Sequence, residues 1–419
     1  MCIHHSLKKL KSGKVFILYA TVILFGVASG TVNIVWLNDL TSGISDTFIK
    51  IFKCLSLPLI SLSIIVTITS YHINSNMKKL SAKTLCYTLS TTVIAATVAC
   101  ILYVLINPSV PHMTNITEAI PSIKETSYLH HISQLIPSNI FEPFIEHNVM
   151  SVLIVALIIG GAIRFIPDER DRQIVSGFFQ GLHSIFITLT RWVITLIPIA
   201  LYSFIAVTVN QLRKGLDISG IGEYLGIIIL ANLVQGLVIL PLWLKTHNIS
   251  PFQMMKGMMP ALSLAFFSKS SAGTLPVTID CAEKRLKINP GIARFVLPLC
   301  TTINMNGCAA FIFSTVIYLL QAHGVEITFM TMISWIVIAT IAAIGNAGVP
   351  MGCFFLSASL LSSMGIPLTL LGLILPFYSI IDMIETSLNV WSDACVTKIV
   401  DRHFGALLIK SNTNSSEVG

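Results

Sequence analysis

Charge is scarce in this sequence. Of its 419 residues 11% are Asp, Glu, Lys or Arg and 54% are hydrophobic. Soluble domains carry about 25% charged residues, so an ordinary water-covered globule is excluded. With a mean hydropathy of +0.82, the chain reads as a polytopic membrane protein embedded in a lipid bilayer. The net charge of +7 gives no reason to expect nucleic acid, because it is made of small Lys/Arg groups between apolar runs. Enzyme signatures are also missing. There is no HExxH, no GxSxG and no pair of aspartates at catalytic spacing inside a span. The nine cysteines (2, 54, 86, 100, 281, 300, 308, 353 and 395) include no CxxC, and none lies in the longest polar loop. Neither a disulfide framework nor a structural metal is therefore expected.

The apolar runs predict six ordinary spans, at about 15–36, 45–71, 84–106, 148–165, 174–209 and 218–245. Lys8, Lys9, Lys11 and Lys14 precede the first span, and Lys78, Lys79 and Lys83 precede the third. By the positive-inside rule both groups are cytoplasmic, as is the N-terminus. Residues 107–147 hold one lysine, Lys124, and read as an external loop. Short loops without disulfides fit a bacterial inner membrane.

Beyond residue 250 the pattern breaks. Ser268-Lys-Ser-Ser-Ala-Gly-Thr-Leu-Pro276 interrupts the segment 251–286, and Gly345-Asn-Ala-Gly-Val-Pro-Met-Gly352 interrupts 328–367. Small polar residues with a breaker suit a re-entrant hairpin better than a continuous span. Each interrupted segment is followed by a span polar at mid-depth. The seventh, about 292–321, contains Thr301-Thr-Ile-Asn-Met-Asn-Gly307. The eighth, about 368–402, contains Asp382, Glu385, Asn389 and Asp393. At 100° per residue these last four fall within about 80° of one another. A charge at the bilayer centre costs at least about 2.5 kcal/mol, so the stripe should face a protected interior and bind something. Paired interrupted segments point to a transporter built from inverted repeats. Half-helix N-termini there suit a carboxylate, and unwound carbonyls with Asn/Asp oxygens suit Na⁺.

These motifs resemble the dicarboxylate/amino acid:cation symporters, the family of the glutamate transporters. The likeness runs from Lys53-Cys-Leu-Ser-Leu-Pro58 to the end of the eighth span. Ser270-Ser-Ala-Gly-Thr-Leu-Pro276 resembles the serine-rich tip of the first hairpin, and Gly345 to Pro350 the tip of the second. Thr302-Ile-Asn-Met-Asn-Gly307 resembles the NMDGT stretch. Asp382-x-x-x-Thr386-x-x-Asn389-x-x-x-Asp393 resembles the binding signature of the eighth span.

The resemblance implies an all-α membrane protein of eight transmembrane helices and two re-entrant hairpins, assembled as a homotrimer. Residues 1–83 and 148–217 would form a scaffold. The third span and residues 218–410 would form a transport domain that moves as an elevator, gated by the second hairpin. Residues 411–419 would be a disordered tail, and the C-terminus would be cytoplasmic. Asp382 would take a substrate amino group. Asn389 and the backbone near Ser270 and Ser271 would hold its α-carboxylate, with Thr386 close by. Asn304, Asn389, Asp393 and the Cys300 carbonyl would bind one Na⁺. Thr302 and the carbonyls of Ala343, Ile344 and Asn346 would bind a second. No cofactor is implied beyond the coupling ion.

Three departures bear on specificity. Glu385 stands where carriers of acidic amino acids have arginine. Like charges about 5 Å apart cost roughly 3 kcal/mol at an effective dielectric constant of 20, so an acidic substrate should be disfavoured unless Glu385 is neutral or paired with Lys269. Asn306 replaces an aspartate that would share a further Na⁺ site with Tyr87, Ser90 and Thr91. Fewer Na⁺ ions, or a proton, would then drive transport. Cys308 replaces a threonine near the substrate. The set is nearest the serine/threonine branch. Small neutral amino acids therefore rank first, glutamate, aspartate or C4-dicarboxylates second, and cationic substrates third. An ion channel is the competing class.

Overall fold

The computed structural model describes residues 12–32, 34–69, 75–110, 137–145, 149–213, 220–346, 348 and 351–416. These are helical almost throughout, with no strand among them. Several expectations fall outside the described residues: Lys8, Lys9 and Lys11, the loop at 111–136, positions 347, 349 and 350 of the second tip, the Lys53 side chain, and 417–419.

The first part comprises α1 (Ser12–Val32), α2 (Val35–Thr69), α3 (Ser75–Ile106), the short α4 (Glu142–Ile145), α5 (Val149–Arg164), α6 (Glu169–Thr195) and α7 (Ile197–Arg213). Two details differ from the sequence reading. Helix α3 runs straight through Lys78–Lys83, which read as a loop. Nothing there breaks a helix, and Ala, Leu and Lys are good helix formers. The single fifth span is instead α6 and α7, bent by 57°. The turn is at Leu196, two residues before Pro198, whose ring excludes the carbonyl one turn earlier.

The second part comprises α8 (Ile221–Val234), a π-turn (Gln235–Ile239) and α9 (Leu240–Thr246), then α10 (Pro251–Ser268) and α11 (Ser271–Asp280). It continues with α12 (Pro290–Ile303), α13 (Asn306–Ala322), α14 (Phe329–Ile344), α15 (Gly352–Ser363) and α16 (Thr369–Ser416). Helix α16 continues through 411–416, where the sequence suggests a disordered tail. Lys79–Ile106, Ile221–Thr246 and Pro290–Ala322 are long and apolar enough to cross a membrane, and α6 with α7 adds a fourth if it is one span.

Packing sorts the helices into two groups. In the first, α1 lies on α7, and α2 lies on α5, α6 and α7. In the second, α3 packs on α8, α13, α14 and α16, while α16 also packs on α10 and α12. The groups touch where α15 meets α2 and where α16 meets α7.

Helix α3 shows the inside-out logic of a membrane interior. Thr84, Thr88, Thr91, Thr92, Ala95, Ala96 and Ala99 are buried, while Leu89, Val93, Ile101 and Leu105 are exposed. Small residues let helices approach closely, and large apolar ones suit lipid. Helix α13, buried along nearly its whole length, is the axis of the second group.

Candidate functional site

Two hairpin tips meet at the site. Helix α10 ends at Lys269, left-handed at φ 54°. Ser270 then caps α11, its Oγ accepting from the Gly273 N–H at 3.1 Å. In the second hairpin α14 ends at Ile344, and α15 begins after Met351, also left-handed at φ 64°. Ser270 Oγ donates to the Gly348 carbonyl at 3.4 Å. Gly348 has φ 62°, and a Cβ there would lie 3.0 Å from the Thr301 carbonyl and 3.5 Å from Ala272 N. A side chain there would press on the Thr301 carbonyl of α12.

The second hairpin also reaches α16, where the Met351 N–H donates to Asp382 Oδ2 at 3.2 Å. Between the hairpins the chain breaks at Asn304-Met305, so α13 opens a third helix N-terminus. Its Gly307 N–H donates to Asn389 Oδ1 at 2.9 Å. Three N-termini, of α11, α13 and α15, thus converge on one face of α16. Each brings a positive dipole end. Gly307 is required for closeness, since a Cβ there would stand 2.8 Å from Glu385 Cα and 2.9 Å from Asn232 Oδ1.

The stripe faces inward. Asp382, Glu385, Asn389 and Asp393 are 4%, 1%, 3% and 1% exposed. Thr386 hydrogen-bonds Asp382. Glu385 Oε2 accepts a long bond from the Tyr378 hydroxyl, 3.4 Å, and its Oε1 has no hydrogen-bond partner among the described residues. Lys269 Nζ donates to Ser379 Oγ at 2.8 Å. No ion pair among the described residues joins it to Glu385, and its nearest carboxylate influence is Asp382.

The expected cation ligands divide. Asn304 Nδ2 donates to Asp393 Oδ1 at 3.0 Å, and Thr301 Oγ1 donates to Asp393 Oδ2 at 3.4 Å. Asp393 takes part in none of the ion pairs found among the described residues. A buried carboxylate left so requires a cation or a proton, and the oxygens around it are hard donors that suit Na⁺. The Cys300 carbonyl, expected as a ligand, accepts from Asn304 N at 2.8 Å. Near the tips, Thr302 Oγ1 bonds the Leu299 carbonyl at 2.9 Å, and the Ala343 carbonyl accepts from Asn346 N at 3.1 Å. Ala343 and Ile344 close α14, whose C-terminal dipole end suits a cation.

The site expected around Asn306 is rearranged. Its Oδ1 accepts from Thr92 Oγ1 at 3.1 Å and its Nδ2 donates to Ser392 Oγ at 2.6 Å. Thr91 bonds Asn304 Oδ1 instead, at 2.8 Å. Ser90 bonds the Cys86 carbonyl on an exposed face, and Tyr87 packs on Trp243. Thr92, Ser392 and Thr301 escaped the sequence reading. The signal for Thr92 was the small-residue stripe Thr84-Thr88-Thr92-Ala95-Ala99. Cys308 is buried beside Asn346, Asn389 and Cys353. A separate cavity of about 440 Å³ is lined by Ile384, Ser387, Leu388 and Trp391. These lie on the opposite side of α16 from the stripe, so the cavity is not this site.

Residues 15–403 match the sodium:dicarboxylate symporter family. The chain belongs to that family, which comprises transporters rather than enzymes. It is 30% identical over 275 residues to mouse neutral amino acid transporter B(0), covering 65% of this chain and 47% of the mouse protein. Human neutral amino acid transporter A is 28% identical over 249 residues, 59% of this chain and 46% of that one. A Caenorhabditis elegans protein named as a sodium-dependent excitatory amino acid transporter, glt-4, is 26% identical over 411 residues, 85% of this chain and 81% of its own. The matched region thus spans about half the length of the two neutral transporters.

Proposed function

We propose that the protein is a Na⁺-coupled symporter of small neutral amino acids, serine or threonine in size and polarity. The observation that carries this is Glu385, buried on the stripe with, among the described residues, one oxygen unpartnered and no cation paired to it. It would repel a side-chain carboxylate and accept from a substrate hydroxyl. Asp382 takes the ammonium in exchange for its bond to Met351 N. The N-termini of α11 and α15, with Asn389, take the carboxylate. Asn304 and Asp393 hold a Na⁺, and the end of α14 with Thr302 holds a second. The names of the mouse and human relatives, both neutral amino acid transporters, support the neutral class.

The architecture we propose is eight spans and two re-entrant hairpins in inverted repeats, with both termini cytoplasmic, assembled as a homotrimer. The two packing groups support a scaffold and a moving transport domain, and the second tip, lying over Asp382, supports a gate. The short predicted loops favour a bacterial inner membrane. A second reading, transport of acidic amino acids or C4-dicarboxylates driven by Na⁺ or protons, is supported by the worm relative's name and requires a neutral Glu385.

Thermal unfolding of the purified protein tests the reading. A ligand at about 100 times its Kd stabilises by about 2.7 kcal/mol, so serine should raise the midpoint with Na⁺ present and much less without it. Stabilisation by aspartate but not serine contradicts the reading.

A further inference from the structure

Around Glu385 lies a group of side chains whose two thiols the transport reading does not use. Cys308 in the first turn of α13, Cys353 in the first turn of α15 and Glu385 on α16 bring two sulfurs and a carboxylate oxygen within 4.8 Å of one another. All three are buried to about 1% exposure. Buried thiols are usually packing groups, but two further observations point to a ligand. Among the described residues Glu385 Oε1 has no hydrogen-bond partner, and neither has Asn346 Oδ1. The Asn346 amide already lies over both sulfurs, its Nδ2 2.8 Å from Cys308 and 3.5 Å from Cys353.

We propose that Cys308, Cys353 and Glu385 form an inhibitory site for a soft divalent cation of the Zn²⁺ and Cd²⁺ class. Tetrahedral Zn–S bonds of about 2.3 Å put ligand atoms about 3.8 Å apart, so small rotamer changes suffice. Rotation of the Asn346 amide by 180° would bring its oxygen to the fourth position. Each ligating thiol releases its proton to solvent, and no electron moves. Because Cys353 follows the second tip while Cys308 and Glu385 sit on α13 and α16, the bound ion ties that tip to the helices beneath it. That it thereby blocks transport rests on the second hairpin being the gate.

Cd²⁺ titrated into the reduced, desalted full-length protein tests the site, read by the ultraviolet thiolate-to-cadmium band. Wild type should bind one tight equivalent, and Cys353→Ser should lose at least about tenfold in affinity. Glu385→Gln, which keeps both thiols and the side-chain shape, should weaken binding while keeping the band, and it gives the answer if Cys353→Ser fails to fold. Equal titrations for wild type and both variants overturn the site. Uptake with and without Cd²⁺ separates the two claims. Cysteine-dependent Cd²⁺ binding in a protein that moves no solute sinks the symport reading and leaves the site standing. Active uptake equally sensitive to Cd²⁺ in wild type and Cys353→Ser sinks the site alone.

Discussion

Asn304 Nδ2 donates to Asp393 Oδ1 across 3.0 Å, joining the broken turn between α12 and α13 to the long helix α16. The bond fixes a buried carboxylate at the point where the helix is interrupted. Asp393→Asn keeps the shape and removes the charge. The half-saturating Na⁺ concentration for uptake should rise about tenfold, equivalent to about 1.4 kcal/mol. An unchanged value would place the coupling ion elsewhere.

Asp382 accepts from Met351 N and, in this account, exchanges that partner for a substrate ammonium. Asp382→Asn can still accept from Met351 but cannot neutralise a cation. Losing one partner of a buried charge pair costs about 3 kcal/mol or more, roughly a hundredfold in serine affinity, measurable by calorimetry. Equal affinity would show that the amino group binds elsewhere.

Glu385→Arg inverts the charge one turn from Asp382. Aspartate or glutamate uptake should appear, since an arginine holds a side-chain carboxylate through two hydrogen bonds. A mutant that folds, still carries serine and gains no acidic uptake contradicts the specificity argument.

Gly307 and Thr92 test the packing. Gly307→Ala forces a Cβ into Glu385 Cα and should cost about 1–3 kcal/mol in stability, seen as a lower unfolding midpoint. Thr92→Val leaves Asn306 Oδ1 without its donor, at about 1–3 kcal/mol. A Thr92→Val protein as stable as wild type would mean that Asn306 finds another partner.

Helical spacing made the stripe from Asp382 to Asp393 legible, because its four members return to one face every three or four residues. The hairpin tips were legible too, since Ser, Gly and Pro interrupt otherwise apolar segments at Ser268–Pro276 and Gly345–Gly352. Rotations between helices were not. Ser90 and Thr92 are both hydroxyls two residues apart, yet one is exposed and the other bonds Asn306. Only the facing surface of α13 decides which. The bend at Leu196 was hidden because α6 and α7 are both apolar near the break. The nearness of Cys308 to Cys353 depends on the fold of the second hairpin, which no local pattern encodes.

The most direct measurement is uptake into proteoliposomes of the purified protein. Labelled serine, threonine, aspartate, glutamate, succinate and arginine would be offered under inward Na⁺ and, separately, proton gradients. The account predicts saturable serine or threonine uptake that requires the Na⁺ gradient. Aspartate, glutamate or succinate uptake with no serine transport would contradict it, and Glu385 would then be neutral or paired in the working protein.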